Sequence, residues 1–202
     1  MYKIIFKFLI CFLLAFSPAL VKAQCVGNQT FTLNPSPPAT GYIPGTVVTV
    51  CYTMTGWPGL NVGSNWLEGF DINLGPGWTN LQQISPPINC QGGGGNWIWM
   101  LNNFTPAGLV GPGWFFDSGI SGPLNNIPAN DWGDSGSCTW SFCFNITVSN
   151  VCTPQNLLIQ VTAGADGDWG NWINNSCPLV PFTIYNGNIN VTLPGPLIIS
   201  HN

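Results

Sequence analysis

Two stretches of the chain decide its fold class: VVTVCYTMT at residues 47–55 and WSFCFNITV at residues 140–148. In each stretch large apolar residues occupy every second position, and the positions between them are mostly polar. Because successive side chains of a β-strand point to opposite faces of a sheet, this period of two predicts strands with one buried face. Cys51 and Cys143 both lie on the polar face of their stretch, so neighbouring strands could join them outside the core.

Outward from these stretches, glycine, proline and asparagine interrupt the chain at short intervals, and no apolar segment keeps a helical period for long. The predicted strands are residues 30–33, 47–55, 67–74, 81–84, 97–101, 114–116, 138–149, 157–163, 182–185 and 189–193. Asn186 and Gly187 predict a tight hairpin turn between the last two. The pattern predicts an all-β, immunoglobulin-like or related two-sheet antiparallel sandwich. Its long Gly/Pro/Asn-rich loops are expected at residues 85–96 and 117–137.

The first 23 residues are typical of a signal peptide. Lys3 and Lys7 lie at the start of an apolar run, and Ala23 ends a stretch that a signal peptidase could cleave. A membrane anchor is the alternative, but the run is shorter than the roughly 20 apolar residues that span a bilayer. We expect residues 24–193 to form a single sandwich domain, followed by a linker-like tail at residues 194–202.

After Lys22 the chain contains no lysine or arginine, whereas all seven of its acidic residues lie beyond that point. Nucleic acid is excluded as a partner, since phosphate binding draws chiefly on basic side chains. Approach of other anionic ligands would be opposed as well. The remaining polar surface consists mainly of hydroxyl and amide groups, which suits contact with sugars or with other proteins.

Eight cysteines are present, and seven of them follow the signal peptide. In an exported chain such cysteines indicate disulfides. Cys51 with Cys143 is the pair that the strand pattern favours, and Cys90 with Cys138 and Cys152 with Cys177 are the next most economical. Each bond would stabilise the fold by roughly 3 to 4 kcal/mol in the chain-entropy model. Cys25 is left over, and intermolecular contact through it is one expectation.

Ten tryptophans form the second unusual feature of the composition. Several stand beside glycine, asparagine or aspartate in predicted loops, where a flat ring with polar neighbours could stack on a sugar ring. Trp132, Trp169 and Trp172 are the predicted ligand-binding residues. The alternative is a structural role, which the strand positions of Trp140 and of either Trp97 or Trp99 favour.

Carboxylates accompany the same loop tryptophans. Asp131 and Asp134 surround Trp132, and Asp166 and Asp168 precede Trp169. Oxygen-rich glycine loops of this kind can bind a hard cation, so calcium is the candidate metal and these four aspartates its candidate ligands. Neither loop matches an EF-hand. The alternative is that the aspartates bond to their own backbone in turns.

Catalysis is not expected. The only histidine is His201, next to the chain end, so a Ser-His-Asp or Cys-His arrangement has no suitable base. Glu68 is the one candidate acid, because it shares strand parity with Phe70 and could project from an apolar face with a raised pKa. The alternative is a solvated Glu68 ahead of a strand that begins at Gly69. A calcium-dependent glycoside hydrolase is therefore only the third choice of function.

Several motifs together resemble a domain of large surface or adhesin proteins from gliding bacteria that use type IX secretion. They are WLEGF at residues 66–70, NDWGD at residues 130–134, WSFCF at residues 140–144 and DGDWGNW at residues 166–172. The resemblance implies a multi-domain adhesin of sandwich modules with a C-terminal sorting domain. This chain instead stops after LPGP at residues 193–196 and a short tail. A stand-alone subunit, a periplasmic or outer-surface partner, or a shortened gene product is therefore expected.

Together these observations predict a secreted or cell-surface bacterial recognition module that does not span the membrane. It would bind a neutral glycan or a surface protein through its loop tryptophans. The alternative is a structural or protein-interaction subunit of a cell-surface adhesin or fibre.

Overall fold

The computed structural model describes residues 26–57, 66–90, 95–105, 108–117, 133–134, 136–151, 153–165 and 181–191. Within these ranges the secondary structure consists of β-strands and contains no helix, as predicted. The strands are β1 (Asn28–Asn34), β2 (Val47–Trp57), β3 (Leu67–Leu74), β4 (Trp78–Ser85), β5 (Asn96–Met100), β6 (Asn103–Thr105), β7 (Gly108–Val110), β8 (Gly113–Asp117), β9 (Gly136–Val148), β10 (Ile159–Ala165) and β11 (Phe182–Tyr185).

These strands form two main antiparallel sheets. The first has the order β1-β2-β9-β4 and the second the order β11-β10-β3-β8-β5, while β6 and β7 pair separately as a short ribbon. Phe70 of the second sheet stacks on Phe142 of the first, with ring centroids 4.2 Å apart and planes 5° apart. Tyr52 and Trp97 add further ring contacts between the sheets. The two sheets therefore pack face to face around one aromatic core.

The two stretches that decided the fold class pair with each other at the centre of the first sheet. Residues 47–55 of β2 match residues 139–147 of β9 without interruption, and Cys51 lies opposite Cys143. Val50, Tyr52, Phe142 and Phe144 are buried, whereas Cys51 and Cys143 are only half-buried on the outer face. The predicted alternation is confirmed. It fixes the pairing of β2 with β9, because a shift of either strand by one residue would turn its apolar side chains from the core to solvent.

Two of the predicted disulfides are confirmed. Cys51–Cys143 joins neighbouring strands with a Cα–Cα distance of 4.2 Å. Cys90–Cys138 ties the segment that follows β4 to the start of β9. The predicted bond between Cys152 and Cys177, and the unpaired Cys25, lie outside the described residues.

The predicted hairpin at Asn186 and Gly187 is wrong. The chain continues straight past these residues, because the Leu157 N–H donates to the Gly187 carbonyl and the Ile189 N–H donates to the Gln155 carbonyl. Residues 189–191 accordingly form no strand of their own, while residues 192 and 193 are not described. A Cβ on Gly187 would collide with the Tyr185 hydroxyl, so this glycine serves a close approach rather than a turn.

Candidate functional site

Only part of the predicted site falls within the described residues. Asp134 is described, whereas the other predicted ligand-binding and metal-binding residues lie outside: Trp132, Trp169, Trp172, Asp131, Asp166 and Asp168. The described part of the site consists of the strand ends at which these loops begin and finish.

Those strand ends meet at one end of the sandwich. Asp134 and Leu67 exchange two backbone hydrogen bonds of 2.8 Å, and Leu67 also pairs with Ala165 at the end of β10. Trp57 lies opposite Gly136 in the other sheet. We call these strand ends, Trp57, Leu67, Asp134, Gly136 and Ala165, the loop end. Asp134, two residues after Trp132, and Ala165, immediately before Asp166, are thus both neighbours of Leu67.

The carboxylate of Asp134 fixes the loop end internally. Its side chain is completely buried, and its Oδ2 atom accepts three hydrogen bonds. The donors are the Cys90 backbone N–H at 2.7 Å, the Trp140 indole N–H at 2.9 Å and the Trp97 indole N–H at 3.3 Å. Since a buried polar group is costly unless it is hydrogen-bonded, this network explains how the Asp134 side chain is accommodated inside the core.

This position of Asp134 bears on the calcium hypothesis. Within the described ranges, no group of three or more His, Cys, Asp or Glu side chains could hold a metal ion. Three N–H donors already converge on the Asp134 Oδ2 atom. The hypothesis therefore depends on Asp131, Asp166 and Asp168, which lie outside the described residues.

The described tryptophans belong mostly to the core. Buried indoles are found at Trp57, Trp78, Trp97, Trp114 and Trp140. Trp66 and Trp99 are half-buried, and Trp99 packs edge-on against Trp114 with ring centroids 5.3 Å apart. The prediction that Trp140 and one of Trp97 or Trp99 are core residues is confirmed. These five buried indoles are therefore closed to ligand stacking.

Glu68 lies at an irregular point of the loop end. Ala165 pairs with Leu67 and Gly164 pairs with Gly69, so Glu68 is an extra residue at a β-bulge in β3. Its side chain is only 1% exposed, so the alternative of a solvated Glu68 ahead of the strand is wrong. Glu68 and Asp134 are both buried, and Asp134 pairs with the residue immediately before Glu68. Two buried carboxyl side chains thus lie at the loop end, Glu68 within β3 and Asp134 beside this strand.

The described surface is nearly free of exposed charge. Glu68 and Asp134 are buried, and Asp71 and Asp117 are half-buried, so none of these four carboxylates is fully exposed. Burial raises the pKa of Asp71, while a hydrogen bond from the Gly111 N–H at 2.5 Å acts in the opposite direction. A ligand that contacts this surface meets hydroxyl, amide and apolar groups.

Two open clefts lie beside each other where β1 and β11 approach, and sequence reasoning missed both. One has a volume of about 430 Å³ and is bordered by Phe31, Pro37 and Tyr185. The other has a volume of about 490 Å³ and shares Pro37 and Tyr185 with the first. Phe31 is 42% exposed at the rim. No sequence motif indicates a cleft in this region. The one feature that could have indicated it is the uncharged strand NQTFTLN at residues 28–34.

Comparison with protein-family models, with curated proteins and with solved structures finds no match to this chain. In the part of the chain that the structure describes, no helix is long and apolar enough to cross a membrane.

Proposed function

We propose that the chain is a secreted, non-catalytic recognition module of immunoglobulin-like architecture, and that its loop end binds a neutral glycan on a cell surface. The observation that carries this proposal is the meeting of Asp134 and Ala165 at Leu67. Through it, the loops that contain Trp132, Trp169 and Trp172 start or finish beside each other. Tryptophan rings in neighbouring loops would be suited to stacking on sugar rings.

The strand order supports the immunoglobulin-like part of the proposal. With β1 to β4 taken as strands A to D and β9 to β11 as strands E to G, the first sheet has the order A-B-E-D. The second has the order G-F-C, extended by β8 and β5. These are the orders of a constant-type immunoglobulin sandwich. In related variable domains, loops at one end of the sandwich form the binding surface.

Charge supports a neutral ligand. The described surface offers no cation to an anionic ligand and no fully exposed carboxylate to a cationic one. Binding must then come from aromatic stacking and from hydrogen bonds of hydroxyl and amide groups. Neutral oligosaccharides present the matching hydroxyls and flat C–H faces.

A glycan array tests this proposal. The wild-type protein should give signals on neutral glycans, and Trp132→Ala, Trp169→Ala or Trp172→Ala should lower them at least about tenfold, the equivalent of 1.4 kcal/mol. Ile43→Ala is a matched control, because Ile43 is 54% exposed and lies near Val148, at the opposite end of β9 from the loop end. Signals that survive in all three tryptophan variants would refute glycan binding at the loop end.

Secretion is a separate part of the proposal. Two disulfides among the described residues support an oxidising compartment. A chain cleaved after Ala23 contains no lysine or arginine. The exported protein should therefore yield no tryptic fragment even after reduction and unfolding, whereas a peptide ending at Lys22 would show that the leader is retained.

The second candidate function is a structural or protein-interaction subunit of a cell-surface adhesin or fibre. Exposed apolar side chains favour it, including Ile84 at 47% and Ile88 at 74% exposure near the end of β4. A folded wild-type protein that binds no glycan on the array would favour this candidate over the first.

A further inference from the structure

The free edge of β1 differs from the other edge of the same sheet. On β4 the pairing with β9 is interrupted twice, and Asn80 adopts a left-handed backbone conformation with φ of 54°. On β1 all seven residues pair with β2 in an unbroken register. The strand contains no charge and no proline, the two devices that usually protect an edge from further pairing. No described strand pairs with its outer side.

The direction of the backbone groups on β1 follows from its neighbours. The Val148 N–H donates to the Thr46 carbonyl at 2.8 Å. In an antiparallel pair hydrogen-bonded positions alternate with non-hydrogen-bonded ones, so in β2 the even-numbered residues after Thr46 form the hydrogen-bonded pairs with β9. Cys51 and Cys143 fall between such pairs, in agreement with their short Cα–Cα distance of 4.2 Å. The backbone groups of Cys51 consequently point toward Thr32 on β1.

Alternation along β1 then fixes which groups remain on the outside. Thr30 and Thr32 direct their N–H and C=O groups toward β2, whereas Gln29, Phe31 and Leu33 direct theirs away from it. These outward groups follow one another at every second residue, which is the spacing that a further antiparallel strand requires.

The sequence of β1 reads almost the same in both directions. In NQTFTLN, Phe31 is central, threonine lies on each side of it, and asparagine lies at each end. We propose that two copies of this chain associate through β1, as an antiparallel strand pair whose two-fold axis passes beside Phe31. The proposal does not depend on glycan binding.

This register satisfies the backbone and matches the side chains. Phe31 lies opposite the second copy's Phe31, and Gln29 opposite its Leu33, so each outward N–H meets an outward C=O. On the outer face Thr30 lies opposite the second copy's Thr32, a pairing that stabilises antiparallel sheets. A two-fold axis brings identical surfaces together and would place any charged residue near a like charge. Here no such repulsion arises, because β1 carries no charge.

The inner face of the same edge also gains from the association. Phe31 contacts Phe182 of β11 with ring centroids 5.9 Å apart, yet 42% of it remains exposed beside the open cleft. A second strand at this edge would cover the ring, and removal of apolar surface from water favours association.

Sedimentation velocity of the exported protein tests the proposal with two matched variants. Thr30 and Thr32 are both exposed on the outer face, so substitution there should leave the monomer fold intact. In T30K/T32K the two-fold axis sets lysine against lysine, and the dimer should weaken at least about tenfold. In T30K/T32E it sets lysine against glutamate, and the dimer should persist.

Wild-type protein that stays monomeric up to high micromolar concentration would overturn the proposal, as would a T30K/T32K protein that dimerises as tightly as the wild type. A T30K/T32E protein that is monomeric, while near-UV circular dichroism shows a native fold, would refute the two-fold register. A monomer that instead accepts a strand from a different protein at β1 would also contradict self-association.

Discussion

At the scale of single residues, Asp134 connects the core to the loop end. One carboxylate oxygen receives N–H groups from Cys90, Trp97 and Trp140, while the backbone of Asp134 pairs with Leu67. The sequence placed Asp134 in a polar loop motif, NDWGD, and local pattern gave no sign that it would be buried. Its partners lie in β5, in β9 and in the segment that follows β4, so its role becomes visible only when these parts of the chain are assembled.

Asp134→Asn should destabilise the protein by about 3 kcal/mol, since an amide in this position cannot accept all three bonds with the strength of a carboxylate. Urea unfolding followed by fluorescence measures this change. Asp71→Asn is the matched control and should cost less than about 1 kcal/mol, because burial already disfavours the charged form of Asp71. Equal effects of the two substitutions would show that Asp134 is not the central acceptor.

Buried tyrosines predict sensitivity to alkaline pH. Burial, with a contribution from Tyr185, raises the pKa of Tyr42 from 10.0 to about 12. Burial also raises the pKa of Tyr52, whose hydroxyl donates to the Gln29 side chain at 2.6 Å. The folded state therefore holds these protons more tightly than the unfolded state. The contribution of Tyr42 to stability is complete below pH 10 and is lost as the pH rises to about 12, and that of Tyr52 is lost at still higher pH.

Denaturant unfolding at a series of pH values, with phenolate absorbance recorded in parallel, checks this expectation. Tyr42→Phe should reduce the alkaline loss of stability, because the substituted ring has no proton to release. Phenolate formation in the folded protein near pH 10.0, the ordinary value for tyrosine, would contradict it.

At the scale of elements, the period of two was sufficient where a strand has one buried and one solvated face. β2 and β9 were predicted to within two residues of their observed ends for this reason. β3 was predicted with its observed ends as well, although most of its residues are buried on both faces. The β6–β7 ribbon was missed because strands of three residues contain too little pattern to detect. The error at Gly187 has another cause: glycine also occurs where a side chain passes close to the backbone, as Tyr185 does here.

The cross-strand bond Cys51–Cys143 spans 92 residues of sequence and Cys90–Cys138 spans 48. In the chain-entropy model the replacement of either pair by serine should lower the free energy of unfolding by about 4 kcal/mol. Thermal unfolding of the two double variants measures the losses. We expect the C90S/C138S variant alone to also weaken glycan binding, because the disulfide anchors residue 90, whose backbone N–H donates to Asp134 at the loop end. Equal binding by both variants would argue against that link.

At the scale of the whole molecule, the absence of basic residues after Lys22 limits what the protein can bind. The described structure restricts the range of ligands further. Its carboxylates are buried or half-buried, so its surface consists of hydroxyl, amide and apolar groups. The candidate site was predicted from the sequence only as a set of loops. The loop before Asp134 and the loop after Ala165 meet at Leu67 because of the order of the strands in the sheet. The residue pattern of a single strand does not specify that order.

Titration of the purified protein with a neutral oligosaccharide from the array, at low and at high salt, tests the central claim most directly. We expect the same dissociation constant at both salt concentrations, since a neutral oligosaccharide carries no charge whose attraction salt could screen. Binding should disappear when Trp132, Trp169 and Trp172 are all replaced by alanine. An affinity that falls as salt rises, or that persists in the triple variant, would contradict recognition of a neutral glycan at the loop end.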